Sequence, residues 1–257
     1  MNTLNIMIKR NTKLFFKHKG MFFTSLITPA ILLVLYSTFL GKIYKDSFAS
    51  ALPGGLNVPE KLINGCVGAQ LVSSILAVSC VTVAFCSNML MVQDKANGTL
   101  KDLTVSPVKP SLLAMSYYFS TLISTLIICV AAAVICLAYI AAVGWYMSFS
   151  DILFILLDIF LLVMFGTALS SIINFFLNSQ GQISAVGTVV SSGYGFICGA
   201  YMPISQFSKG LQRVICFLPG TYGTSLLRNH AMRGVYKEMS TLGFPKEIIE
   251  AIKDSVD

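Results

Sequence analysis

Asp158 is the residue whose position most demands a chemical explanation, because it is the one charge inside a long apolar stretch. At such a place an ionisable group acts by default as a substrate contact or a proton site. The structural alternatives are a hydrogen bond to a neighbouring helix or a reach outward to water. A second polar feature is MVQDKANGTLKDLTVSPVKP, residues 91–110, set between two long uncharged intervals. Within it Asp94 or Asn97 can cap a short helix, and Gly98 permits a tight turn into it. Thr99, Leu100, Lys101, Asp102 and Leu103 then supply about one and a half turns, which Pro107 and Pro110 stop. Leu100 and Leu103 fall on one side. Such an apolar ridge, joined rigidly to its flanking helices, suits the transmission of force from a soluble partner; a plain interhelical loop is the other reading.

No enzyme motif competes with these features. The chain has no G-x-x-x-x-G-K-[ST], no G-x-S-x-G and no H-E-x-x-H. His18 and His230 are far apart in sequence and fall on opposite predicted sides, which argues against a shared metal. The cysteines at 66, 80, 86, 129, 136 and 198 lie inside or at the ends of apolar segments and read as small buried apolar residues. Cys216 lies near the outer side and could pair with Cys198, although the spacing gives no reason to expect it.

The elements that must position these groups follow from composition. Of 257 residues 55% are apolar and 11% charged, and the charges are bunched. No Asp, Glu, Lys or Arg occurs between Lys19 and Lys42, Lys61 and Asp94, Lys109 and Asp151, or Asp158 and Lys209. A spanning helix needs roughly 20 apolar residues, so the first three intervals hold one span each and the last, split at Asn178–Gln182, holds two. The expected spans are 21–40, 63–92, 111–143, 151–177 and 183–203. Ten-residue alternation is absent, so a barrel is not supported. The fold class is an all-α polytopic membrane protein in a single transmembrane domain.

Ahead of the first span, residues 3–18 form an amphipathic helix, within an interfacial segment 1–20. Leu4, Met7, Ile8, Leu14 and Phe15 share one face and Lys9, Arg10, Lys13 and Lys17 the other. Such a helix lies in the membrane interface with its cations among anionic headgroups. The run starting at Met21 is longer than a signal-peptide core and lacks a small-x-small cleavage site, so it reads as a retained anchor. Lys and Arg concentrate before the first span and in 93–110, which places the N-terminus and that connector in the cytoplasm. The segment after 203 then begins outside despite its own basic residues.

That outer segment carries Phe207, Leu211, Val214, Ile215 and Phe217 on an apolar side, with Lys209 and Arg213 offset from it. It is too polar to span and too apolar to be solvated. Irregular backbone at membrane depth is tolerated where protein or an aqueous cavity covers it; an amphipathic helix on the outer surface is the alternative. Gly195-x-x-x-Gly199 reads as helix packing rather than a substrate box.

Gly98, Thr99, Leu100, Leu103, Ser106, Pro107 and Val108, together with Gly199–Gln206, Leu218–Tyr222 and Leu227-Arg228, occur in an order that resembles the membrane subunit of ABC-2 type exporters. The resemblance implies that 93–110 is a coupling segment seated in a separate cytoplasmic ATPase, with Asp94, Gly98, Thr99, Leu100, Lys101, Asp102, Leu103 and Pro107 as its residues. It implies two permeases, a second copy or a paralogue, paired around a central path. It also implies re-entrant helices at 206–232, with Phe207, Leu211 and Phe217 at an outer gate, followed by an extracellular segment 233–257. ATP and Mg belong to the partner ATPase, this chain binds no cofactor, and nucleic acid is not an expected partner. The expected location is the cell membrane, most readily of a bacterium.

The function so implied is export of an amphipathic or hydrophobic substrate: a drug, an antibiotic or peptide, a lipid or a glycan. The alternatives are a secondary transporter or channel without an ATPase, and a non-transporting scaffold or immunity subunit. A secondary transporter should carry paired intramembrane charges or broken helices, and Asp158 alone qualifies. The family pattern has a sixth span, whereas after Arg228 this chain runs charged and polar, with a short helix expected at 245–254. The expectation is a longer chain whose continuation begins with roughly 20 apolar residues.

Overall fold

The fold is organised around one helix whose sequence offers no polar face. Between Glu60 and Ala96, Gly, Ala, Ser and Thr alternate with Val, Leu and Ile around the whole circumference, the pattern of a helix buried on all sides. This is α3 in a series that begins with α1 (Thr3–Lys17) and α2 (Lys19–Leu35). It continues with α4 (Thr99–Val105), α5 (Pro110–Val143), α6 (Phe149–Phe175), α7 (Gln180–Ile197), α8 (Lys209–Ile215) and α9 (Pro219–Thr241). The computed structural model describes residues 3–35, 38, 59–106, 108–202, 204, 207–245, 249, 250, 252 and 253, and among these there is no strand.

Among the described residues three helices, α3, α5 and α6, are long and apolar enough to cross a membrane. In its most apolar window α3 is 94% buried, against 28% for α5 and 39% for α6. The chain therefore presents α5 and α6 to its surroundings and keeps α3 inside, with α2, α5, α6, α7 and α9 packed around it. At 37 residues α3 is about 55 Å long, more than the roughly 30 Å hydrocarbon layer. Of the other two expected spans, α2 is apolar but shorter, with Pro29 inside it, and much of 36–58 lies outside the described residues. The remaining one, α7, is diluted by Gln, Ser and Gly.

Close approach and hydrogen bonds fix the register of this bundle. A Cβ on Gly166 of α6 would sit 3.0 Å from the Val81 Cα of α3 and 3.1 Å from the Cys80 carbonyl oxygen. A larger residue there would force the α3 backbone to give by a few tenths of an ångström. One turn along, Asn88 of α3 donates to Ser170 Oγ and Ser171 Oγ of α6, both at 3.2 Å. Thr121 Oγ1 of α5 donates to Asn88 Oδ1 at 3.4 Å, so one amide joins three helices. Six of the cysteines are buried and Cys216 is exposed, and none forms a disulfide.

The N-terminal helix departs from the sequence-based expectation in its sides. It packs on α5, and its buried stripe is Met7, Asn11 and Phe15. Asn11 is accommodated because its Nδ2 donates to Ser116 Oγ of α5 at 3.4 Å. Arg10, expected on the cationic face, turns toward the bundle instead, drawn by a buried carboxylate described below.

The Gly195-x-x-x-Gly199 stretch has a local structural role. It ends α7: the amides of Ala200 and Tyr201 both donate to the Gly195 carbonyl at 3.0 Å, and the Tyr201 ring folds back over Gly195. Past residues 232 and 233 α9 continues without a break to Thr241. Of the short helix expected at 245–254, residues 246–248, 251 and 254 lie outside the described residues, while Ile252 is buried.

Candidate functional site

Two polar clusters stand out, one at the C-terminal end of α3 and one between α6 and α9. The first begins where α3 breaks. Asn97 closes α3, and Gly98 takes a left-handed conformation, φ 79°, from which α4 departs at once. Residues with a Cβ resist that conformation by about 1–2 kcal/mol, which gives glycine a local reason to be there. Thr104 Oγ1 and Ser106 Oγ tie back to the carbonyls of Lys101 and Leu103, and Pro110 opens α5. Pro107 lies outside the described residues.

Of the residues expected to couple to a partner, Leu100 and Leu103 lean on the chain's own core. The outward face of α4 is Lys101, Asp102, Thr104 and Val105, the last 87% exposed. Thr99 is half-buried at its start.

Asp94 does not cap α4. It is buried and accepts from Tyr117 Oη of α5 at 2.6 Å and from Arg10 Nη1 of α1 at 3.0 Å. The same Arg10 nitrogen also donates to Asn11 Oδ1 at 2.7 Å. The next residue, Lys95, points the other way: its Nζ donates to the Phe175 carbonyl at 2.6 Å, at the C-terminus of α6. A cation there meets the negative end of the helix dipole and carbonyls without intrahelical partners. Two adjacent charges of opposite sign thus fasten the end of α3 to α1 and α5 on one side and to α6 on the other.

The second cluster is set by an antiparallel pairing. Gly220 lies against Phe165, Gly223 against Leu162, and Gly234 against the backbone of Tyr146, so α9 starts beside the middle of α6 and climbs toward the α5–α6 connection. Asp158 and His230 meet on this seam, Oδ2 to Nδ1, at 2.6 Å. The imidazole is stacked on Phe154, centroids 4.9 Å apart and planes 16° from parallel. Two turns nearer the start of α6, Asp151 Oδ1 is 3.6 Å from Arg233 Nη1, while Asp151 Oδ2 accepts from the Ser148 amide in a capping box. Arg228, buried, donates to the Gly199 carbonyl at 2.7 Å and holds the end of α7.

Ahead of α9, Thr221 Oγ1 donates to the Ile215 carbonyl at 2.9 Å and sets the angle between α8 and α9. On the expected apolar side only Ile215 is buried; Phe207 is half-buried, and Leu211, Val214 and Phe217 project from the chain.

The profile of the ABC-2 type transporters matches residues 2–231. The chain belongs to this family. It is accordingly a multi-pass membrane protein of transport-permease type. The family match takes in both clusters, from Arg10 to His230. No curated protein and no solved structure matches the chain.

Arg10, Lys95, Tyr117 and His230 are absent from the expected sites. A signal existed for His230: a carboxylate buried in a span needs a partner, and α9 repeats buried positions at Leu227, Arg228 and Ala231, bracketing residue 230. For Tyr117 there was none, because hydroxyls occur all along α5.

Proposed function

We propose that this ABC-2 transporter is the permease subunit of an ATP-driven exporter and moves an amphipathic or hydrophobic substrate out of the cell. It works with a separate cytoplasmic ATPase that holds ATP and Mg, and with a second permease copy or paralogue. The observation that carries this reading is the seating of α4. It is a short helix with an outward face of Lys101, Asp102, Thr104 and Val105, standing on the end of the most buried helix. A push on α4 reaches α3 through Gly98 within one residue. From α3 it reaches α2, α5, α6, α7 and α9 by direct packing.

On this reading α4 is the coupling helix, residues 3–17 lie at the cytoplasmic surface of a bacterial cell membrane, and α8 with the start of α9 is a re-entrant outer gate. Supporting the last assignment, α9 begins alongside Phe165, about 24 Å along α6 from Phe149. Leu211, Val214 and Phe217 then offer apolar surface to lipid or to a second permease.

Substituting Val105→Asp or Lys101→Glu tests the coupling assignment, since neither side chain supports the fold. The chain should insert normally and lose copurification with the ATPase, or retain it while ATP hydrolysis no longer drives transport. Full transport by both variants would remove α4 from the coupling role. Transport from a membrane preparation lacking any ATPase would replace the exporter by a secondary transporter.

A further inference from the structure

Between α2 and α5, both of which pack on α3, the chain leaves a groove of about 640 Å³ whose lining side chains are all apolar. Its floor includes Ile75 of α3; one wall runs from Phe22 to Leu33 on α2, the other from Ile127 to Cys136 on α5. Phe16 of α1 closes one end, its ring centroid 5.8 Å from that of Phe22. On the α5 wall Ile127 is 50% and Ile135 60% exposed, so the groove opens away from the bundle.

The dimensions are those of one leaflet of a bilayer. At 1.5 Å per residue the α2 wall is about 17 Å long and the α5 wall about 14 Å, against roughly 15 Å for half of the hydrocarbon layer. The depth agrees as well. α5 starts beside α1, where Asn11 meets Ser116, and ends at Val143, with Trp145 just beyond to mark the far interface. A layer of roughly 30 Å measured back from Val143 reaches about Ile123, just short of Ile127. The groove therefore occupies the leaflet on the α1 side, with its Phe16 end at the headgroup boundary.

That end is ringed by cations. Lys13 precedes Phe16 by three residues on α1, and Lys19 precedes Phe22 by three on α2, a spacing that puts each lysine on the same side of its helix as the ring. Lys17 follows Phe16 directly. All three are exposed, and among the described residues none of them is in a salt bridge, whereas Arg10 is engaged by Asp94. Residues 1–45 contain no Asp or Glu.

We propose that this groove is a binding site for an anionic phospholipid: one acyl chain lies between α2 and α5, and the phosphate sits among Lys13, Lys17 and Lys19. An apolar groove alone would take the chain of any lipid. The lysines select an anionic headgroup, each adding roughly fivefold in affinity near the membrane surface. A lipid held in this way bridges α1, α2 and α5 and steadies the joint at His18, where α1 gives way to α2. The proposal needs a membrane around the chain; it needs neither an ATPase nor a substrate.

Fluorescence quenching in vesicles of phosphatidylcholine and phosphatidylglycerol tests it on the full chain. With Trp145→Phe and Phe22→Trp the one indole sits at the groove, and each lipid is supplied in turn in brominated form as the quencher. Brominated phosphatidylglycerol should bind at this reporter at least about fivefold more tightly than brominated phosphatidylcholine. Lys13→Gln, Lys17→Gln and Lys19→Gln together, all at exposed positions, should bring that ratio close to one. Ala131→Phe, which adds a ring to the groove wall and leaves the lysines, should reduce quenching by both lipids. A reporter placed instead by Leu161→Trp, at a position 50% exposed on α6, should show no preference. Leu26→Trp, one turn along the same wall, repeats the measurement should Phe22→Trp fail to fold. Equal binding of the two lipids at the groove, or a preference that survives loss of all three lysines, overturns the proposal. So does a groove reporter that neither lipid quenches, the result expected if a second copy or another part of this chain fills the groove.

Discussion

The two ends of the bundle are held by charge in different ways. At the end of α3, Arg10 and Lys95 supply the positive charge; both point into the protein and act on the same two-residue step of chain. On the α6–α9 seam Asp158 is met by His230 at 2.6 Å, while Asp151 is met by Arg233, which is 60% exposed and sits at a loose 3.6 Å. The lesson is that the end of α3 is tied by charge on two sides, whereas the α6–α9 seam has one close pair and one loose, exposed pair. On the proposed reading the joint tied on two sides is the one where an ATPase pushes.

The comparison breaks most completely at Asp94. Replacing it by Asn removes the charge that holds Arg10 and leaves a half-buried guanidinium without its counter-ion, a change of about 2 kcal/mol. Thermal unfolding in detergent should show a marked loss of stability, and α1 should become protease-sensitive. An unchanged melting curve would mean that the joint is not fixed by charge.

Tyr117→Phe sharpens the same point more gently, deleting one hydrogen bond to a carboxylate that keeps its arginine. The expected loss is about 1.5 kcal/mol, with no change in its pH dependence between neutral and mildly alkaline conditions. A loss as large as that of Asp94→Asn would move the weight of the joint from Arg10 to the tyrosine.

Arg233→Ala should matter least. An exposed pair at that separation is worth about 0.5 kcal/mol or less, so thermal stability should stay near wild type. A loss as large as that of Tyr117→Phe would show Arg233 and Asp151 to hold the seam as firmly as the end of α3 is held.

How far the sequence reaches can be judged at particular residues. The intervals without charge led to α3, α5 and α6 within a few residues of their ends, because the transfer of charge into hydrocarbon is costly enough to leave a visible gap. Gly98 and Pro110 marked a break at the right place, since they act through their own backbone. Asp94 was misread as a cap because capping depends on neighbours three residues away, whereas its true partners lie 84 and 23 residues off. Arg10 was assigned to the wrong face for the same reason.

The sequence by itself therefore determined the class of the molecule, its apolar helices, the polar break between α3 and α5, and the need of Asp158 for a partner. Those are properties of composition and short spacing, and they act before the chain meets itself. Only the tertiary structure decided that α3 is the enclosed helix and that Leu100 and Leu103 turn inward. It likewise decided that Asp94 closes on Arg10 and Tyr117, and that the partner of Asp158 is His230. The physical reason is that a buried charge or a small-residue seam states a requirement without naming what meets it. The partner is chosen by whichever helix the packing brings within about 3 Å.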